Sequence, residues 1–321
     1  MKKKALLIFS DLDGTLFPAK GEHISQLSKK LKTIQDTNEV QIKFIVVSGR
    51  NTGHTRAMAQ HIEHNLKEAG VKNPVDFSFS EQGGAYVCAN SQVEHKFLGN
   101  KEKLHLKNNL KSDFENSKFA IYFEQCPLNQ YNSAFVFKSS ISKSLSTEDK
   151  STIRKEFLTF LKNRFGKTMN IEDSGAIEVT PPGIGKDFAL EYTLRQYRKE
   201  FNISGLIYCG DSGNDLSAIK YVSKLAIGTG IKSYVFTPSN AKPQVSSEKL
   251  ENWKDKLSPR AEKNIEKSDL KTIEGLNALL NKHIKNKDFI GEGLDTLSVK
   301  DDLALLKRHK QTSCFEQKLV L

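Results

Sequence analysis

Three short apolar runs frame the chain. Ala5-Leu6-Leu7-Ile8-Phe9 leads into Ser10-Asp11-Leu12-Asp13-Gly14-Thr15. Ile42–Val47 leads into Ser48-Gly49-Arg50, and Leu206–Cys209 into Gly210-Asp211-Ser212-Gly213-Asn214-Asp215. Continuously apolar runs closed by polar and glycine residues predict strands buried on both faces of a parallel sheet. Helical patterns fall between them, over Ile24–Gln35, Thr52–Glu68 with a stop at Gly70, and Asp187–Arg198. A strand, a helix-length crossover and a second strand give a right-handed parallel unit. Val75–Phe79, Leu225–Gly228 and Tyr234–Phe236 are expected to add strands, and Ile273–Leu276 to lie in a closing helix. The predicted fold class is α/β.

Between Ala85 and Gly183 the pattern changes. Tyr86–Ala89, Val93–Phe97, Phe119–Phe123, Ala134–Lys138, Met169–Ile171 and Ala176–Val179 read as short strands. They are interrupted by a polar helix over Lys101–Asn116 and by a second helix over Thr147–Phe165. That second helix is capped by Ser146 and places Ile153, Phe157, Phe160 and Leu161 on one face. An antiparallel α+β pattern set between βαβ flanks predicts an inserted domain. Gly83-Gly84 on one side and Pro181-Pro182-Gly183 on the other read as hinges. The expected division is a core of residues 1–84 and 184–285, an insertion of 85–183, and a C-terminal helical tail of 286–321.

The chemistry gathers at the strand ends. Asp11 and Asp13 stand at i and i+2 at a strand's carboxyl end, so both side chains face one side. Ligands of open α/β sheets bind at that edge. Two close carboxylates repel unless a cation lies between them, and hard oxygen ligands suit Mg²⁺. An isolated Asp-Gly is an ordinary turn; the company it keeps gives this one weight. Ser48 reaches the same edge with a hydroxyl donor. Lys186 opens a helix, where its charge can balance Asp11 and a phosphoryl group. Asp211, Asn214 and Asp215 crowd a glycine turn at another strand end, an arrangement that packing alone does not explain.

Asp11-x-Asp13-Gly14-Thr15, Ser48 closing its strand, Lys186 opening a helix after the insertion, and Gly210–Asp215 occur in the order of the four motifs of the haloacid dehalogenase (HAD) superfamily. The chain resembles its phosphatases with a large α+β cap, the sucrose-phosphatase and mannosyl-3-phosphoglycerate phosphatase-like (Cof-type) group. Ser239-Asn240-Ala241 is similar to a turn of that group, and Asp187-Phe188 departs from the glycine step that usually follows the motif lysine. The likeness spans roughly residues 5–285. It implies a Rossmann-like three-layer core with Asp11 as nucleophile and Asp13 as acid/base. Ser48, Gly49, Lys186, Asn214 and Gly14 would contact phosphate. Mg²⁺ would be held by Asp11, Asp13 through its carbonyl, Asp211 and Asp215. A small phosphorylated metabolite such as a sugar phosphate is the expected substrate.

Composition narrows the rest. Across 321 residues the net charge is +11. The excess is spread along the chain, which favours anionic partners without marking a nucleic-acid groove. Basic clusters at Lys282–Lys287 and Lys307-Arg308-His309-Lys310 leave open a weak contact with anionic membrane. Cys88, Cys126, Cys209 and Cys314 show no metal or disulfide spacing. Lys2-Lys3-Lys4 before Ala5–Phe9 is too short for a signal peptide, and Asp11 and Asp13 interrupt it. The expectation is a cytoplasmic phosphatase. A phosphoprotein (phosphotyrosine) phosphatase, an exported effector that associates with anionic lipid, and a phosphomutase are the alternatives left open.

Overall fold

The computed structural model describes residues 2–88, 96–99, 106–173, 176–228, 231–238 and 265–286. The first part of the chain forms β1 (Lys3–Ser10), α1 (Gly21–Asn38), β2 (Gln41–Val46), α2 (Thr52–Glu68), β3 (Phe77–Ser80), β4 (Ala85–Cys88) and β5 (Lys96–Phe97). Then come α3 (Leu106–Glu115), β6 (Phe123–Gln125), β7 (Ser133–Phe137), α4 (Ser139–Ser144), α5 (Thr147–Phe165), β8 (Asn170–Asp173) and β9 (Ile177–Thr180). The chain continues through α6 (Lys186–Tyr197), β10 (Phe201–Cys209), α7 (Leu216–Gly228), β11 (Lys232–Thr237), β12 (Ile265–Lys267) and α8 (Thr272–Asn286).

A five-stranded parallel sheet runs in the order β12-β11-β10-β1-β2. A single parallel bridge between Val47 and Phe79 brings β3 alongside β2. Alternation along the central strand β1 sends Leu6 and Ile8 into one apolar cluster, with Leu27 and Leu31 of α1 and Leu276 of α8. Ala5, Leu7 and Phe9 enter a second, with Leu190 of α6 and Ile219 of α7. Both faces are therefore covered, which is why β1 is apolar without a polar alternate. The fold is the expected α/β, Rossmann-like three-layer arrangement. Strand ends Ser10, Val46 and Cys209 lie in register at one edge.

A second sheet, β6-β7-β9-β8, is antiparallel. Helix α5 packs on it through Phe157, Leu161 and Phe165. The Phe157 ring lies 4.5–5.8 Å from the rings of Phe114, Phe119, Phe123 and Phe135. This aromatic packing, rather than a ligand platform, accounts for the phenylalanines of the strand pair.

Two readings of the sequence are corrected. Leu225–Gly228 is the end of α7, not a strand. Ala218, Ile219, Val222 and Leu225 follow helical spacing and are buried together. The Phe119–Phe123 run begins as a 3₁₀ turn over Lys118–Ile121, because the Ser117 hydroxyl accepts from the Phe119 amide. That turn leaves Ile121 60% exposed, and the strand starts only at Phe123. The β4–β5 hairpin pairs with β3, and Tyr86 and Leu98 pack into the core cluster rather than with the second sheet. Ser239-Asn240-Ala241, the cluster Lys307–Lys310, Cys314 and the tail beyond Asn286 lie outside the described residues. No helix among the described residues is long and apolar enough to cross a membrane.

Candidate active site

Asp11 follows β1 directly, and its amide donates to the Cys209 carbonyl at 3.0 Å, which ties the loop to β10. The Asp11 carboxylate is 5% exposed. Its Oδ1 accepts from the Leu12 amide at 2.8 Å, and its Oδ2 lies 3.0 Å from Lys186 Nζ. Lys186 begins α6 and is fully buried. Its ammonium also meets Asp215 Oδ1 at 2.7 Å. Burial alone would pull the Lys186 pKa down, but Asp11 and Asp215 outweigh it and hold the charge in place.

The Asp215 oxygens are heavily used. Oδ1 also accepts from the Tyr208 hydroxyl at 2.5 Å, and Oδ2 accepts from the amides of Asp211 and Ser212, both at 3.0 Å. Ser212 and Asp215 form a capping box that starts the turn leading into α7. Asp211 accepts from the Thr15 hydroxyl at 3.0 Å. Asp11, Asp211 and Asp215 bring one carboxylate oxygen each within 4.8 Å of one another. One lysine does not balance three buried carboxylates. Burial, with Asp215 and Asp211 adding to it against Lys186, pushes Asp11 up to about 8. A hard divalent cation fits a donor set with this surplus of negative oxygen.

Gly14 permits this geometry. Its N–H donates to the Phe17 carbonyl at 2.8 Å. Its φ is +82°, and a Cβ there would stand 2.2 Å from Asp211 Oδ2. Ser48 is buried at the end of β2. Its oxygen accepts from the Arg50 amide at 3.1 Å, leaving the hydroxyl proton to donate. Asp13 is more exposed and forms a two-point pair with Arg50, 2.5 Å from Nε and 2.5 Å from Nη2. Asp11, Asp13, Gly49, Arg50, Ser212 and Asn214 line one wall of a cavity of about 400 Å³. The antiparallel unit supplies the opposite wall, with Cys126, Pro127, Leu128, Ala134, Ala176 and Glu178 among its residues.

The site also includes residues that the sequence reading passed over. Arg50 carries a signal, being the lone cation directly after an apolar strand end. Glu178 alternates with Ile177 and Val179 just before the double proline. It accepts from the Gln82 amide nitrogen and the Asn214 side chain. Glu81, fully buried, accepts from three successive amides of the facing loop, Gln130 (3.0 Å), Tyr131 (2.5 Å) and Asn132 (3.1 Å). Glu81, Gln82 and Gly83 all have left-handed backbone, with φ of 50°, 62° and 87°. The turn predicted as a hinge thus holds an unusual, fixed conformation.

Residues 8–234 match the haloacid dehalogenase-like hydrolase family, and the chain belongs to it. It is a hydrolase on that evidence. The fold is similar to that of the sucrose-phosphatase from Synechocystis sp. PCC6803, solved with sucrose and phosphate. Identity is 16%, TM-score 0.55, with 90% of this chain and 99% of that one covered. The C-terminal domain of trehalose-6-phosphate phosphatase from C. albicans is similar at 12% identity and TM-score 0.56, covering 88% and 93%. SMU.1108c from Streptococcus mutans UA159 is similar at 15% identity and TM-score 0.53, covering 88% and 99%. Among curated proteins no sequence matches.

Proposed function

We propose that the protein hydrolyses phosphate monoesters of small metabolites, sugar phosphates first among them, with Asp11 as nucleophile. The observation that carries this reading is the buried Asp11 carboxylate 3.0 Å from fully buried Lys186, on the floor of a cavity roofed by a second folded unit. Asp11 Oδ1 is held by the Leu12 amide, which fixes the carboxylate for in-line attack and an aspartyl phosphate. Asp13 protonates the leaving oxygen and then takes a proton from the hydrolytic water. Its pairing with Arg50 holds the side chain at the cavity wall between these steps. Lys186 and Ser48 neutralise and orient the phosphoryl oxygens, since phosphoryl transfer depends chiefly on placement and charge. Asp11, the Asp13 carbonyl and Asp211 would hold Mg²⁺, which supplies further charge neutralisation when bound. Asp215, its oxygens already engaged by Lys186, Tyr208 and two amides, orients this cluster and contributes least to the metal.

The antiparallel unit is proposed to be an inserted cap that closes over the substrate and excludes bulk water. Because the β4–β5 hairpin packs with the core, we place the start of the cap after Leu98 rather than at Ala85. A cavity of about 400 Å³ suits a whole small molecule better than a phosphopeptide. The test is release of phosphate from p-nitrophenyl phosphate and from a panel of sugar phosphates with Mg²⁺, repeated with chelator and with Asp11→Asn. The expected result is turnover that chelation and the substitution each abolish. Unchanged turnover in Asp11→Asn would overturn the mechanism.

A further inference from the structure

The cavity wall facing the reactive edge has a distinct chemistry. Apart from Glu178 and Asn129 it is apolar, formed by Cys126, Pro127, Leu128, Ala134 and Ala176. Among the described lining residues Arg50 is the one cation, and Asp13 already engages it at two points. Lys186 lies behind Asp11, fully buried and shared by two carboxylates.

Glu178 reaches the core loops from the cap. Its Oε2 accepts from Gln82, and a Cβ on Gly49 would lie 2.9 Å from its Oε1. A side chain at position 49 would crowd that carboxylate and the Gln82 amide. Asn214 accepts from the Ser212 hydroxyl through its Oδ1 at 2.7 Å, which turns its amide nitrogen toward Glu178. On the cap side Glu172 stands directly opposite Glu178 across β8 and β9. The Gln82 Oε1 is buried with no hydrogen-bond partner. Among the described residues of this wall Glu178 is the one charged group.

We infer that the substrate is a monophosphate whose remaining part is uncharged and rich in hydroxyls, with Glu178 accepting from a hydroxyl and a second anionic group excluded. This inference rests on the phosphomonoesterase reading. The physical reason is the cost of bringing an anion against a buried carboxylate where no described lining residue offers a cation free of a partner, whereas a hydroxyl supplies a further donor to the carboxylate. Discrimination then comes from repulsion of the wrong ligand as well as attraction of the right one. Glu178 is a specificity residue in this scheme, and the reacting atoms stay with the core.

The experiment compares kcat/KM on matched pairs: glucose 6-phosphate against 6-phosphogluconate, and fructose 6-phosphate against fructose 1,6-bisphosphate. The wild type should favour the member with a single anionic group in each pair by at least about tenfold. In Glu178→Gln the ratio should fall to about twofold or less, through a higher KM for the neutral sugar and a lower one for the acid. Equal use of both members by the wild type, or a ratio unmoved by Glu178→Gln, would overturn the inference while hydrolysis itself continued. Absence of any phosphate release, from the aryl ester as well, would overturn the phosphatase reading and the inference with it. The wild-type comparison needs no variant to fold.

Discussion

At the carboxyl edge of the parallel sheet, Asp11 and Asp215 share one buried lysine that touches both. In the antiparallel unit, Glu172 and Glu178 face each other across β8 and β9, and the cation that lowers them, Lys186, belongs to the other unit. Burial, with each other's charge in the case of Glu172, pushes both glutamates up to about 7. The core thus holds its charged groups within one compact cluster, with Lys186 and backbone amides engaging the carboxylates. In the cap, Glu178 finds hydrogen-bond partners on the facing unit, at Gln82 and Asn214. A cluster fixed within one unit suits chemistry, which demands constant geometry. A charge that needs a partner from the facing unit suits recognition, because seating the cap and seating the ligand then involve the same groups.

The largest expected effect breaks the core side of this contrast. Lys186→Met leaves Asp11 and Asp215 buried without their cation. Phosphatase turnover should fall by at least about a thousandfold. Removing one partner of such a buried group should also cost about 3–5 kcal/mol in metal-free buffer, read from a denaturant melt. A variant with wild-type turnover would show that Lys186 is structural only.

Next is the cap core. Phe157→Ala removes the ring on which five others pack, and should cost about 3–5 kcal/mol locally. Hydrogen exchange should rise across residues 106–180, while β1 and β10 stay protected. Equal loss of protection in both sheets would mean that the two units unfold as one.

The smallest effect concerns pH. A carboxyl whose folded pKa lies above its unfolded value of 4.5 is protonated in both states below that value. Between 4.5 and about 7 the folded state retains a proton that the unfolded chain has released, so stability falls as pH rises. Glu172→Gln should therefore leave the melting temperature unchanged at pH 4 and raise it at pH 8, by about 1–2 kcal/mol in stability. Equal shifts at both pH values would place the effect in packing rather than charge.

Much of this protein is legible in the sequence by itself. Strand ends with carboxylates and glycines can be read because a parallel sheet demands continuous apolar runs and puts every run's last residue at one edge. Asp11 and Asp211 follow from that rule, whereas Ser48 and Lys186 gain their weight from the order of the family's motifs. Helix α5, with its Ser146 cap and apolar face, is just as local in origin. The tertiary structure decided what depends on partners far apart in the chain. Leu225–Gly228 is helical because α7 continues from the capped site loop, and a short apolar run carries no period long enough to show it. The Gly14 amide donates inside its own turn, and Gly14 is required by Asp211, nearly two hundred residues away. Glu81 and Glu178 look like surface residues until folding sets one against three amides of a facing loop and the other against Gln82 and Asn214. A carboxylate's role is set by what surrounds it after burial, and residue order states the surroundings only where they are also neighbours in sequence.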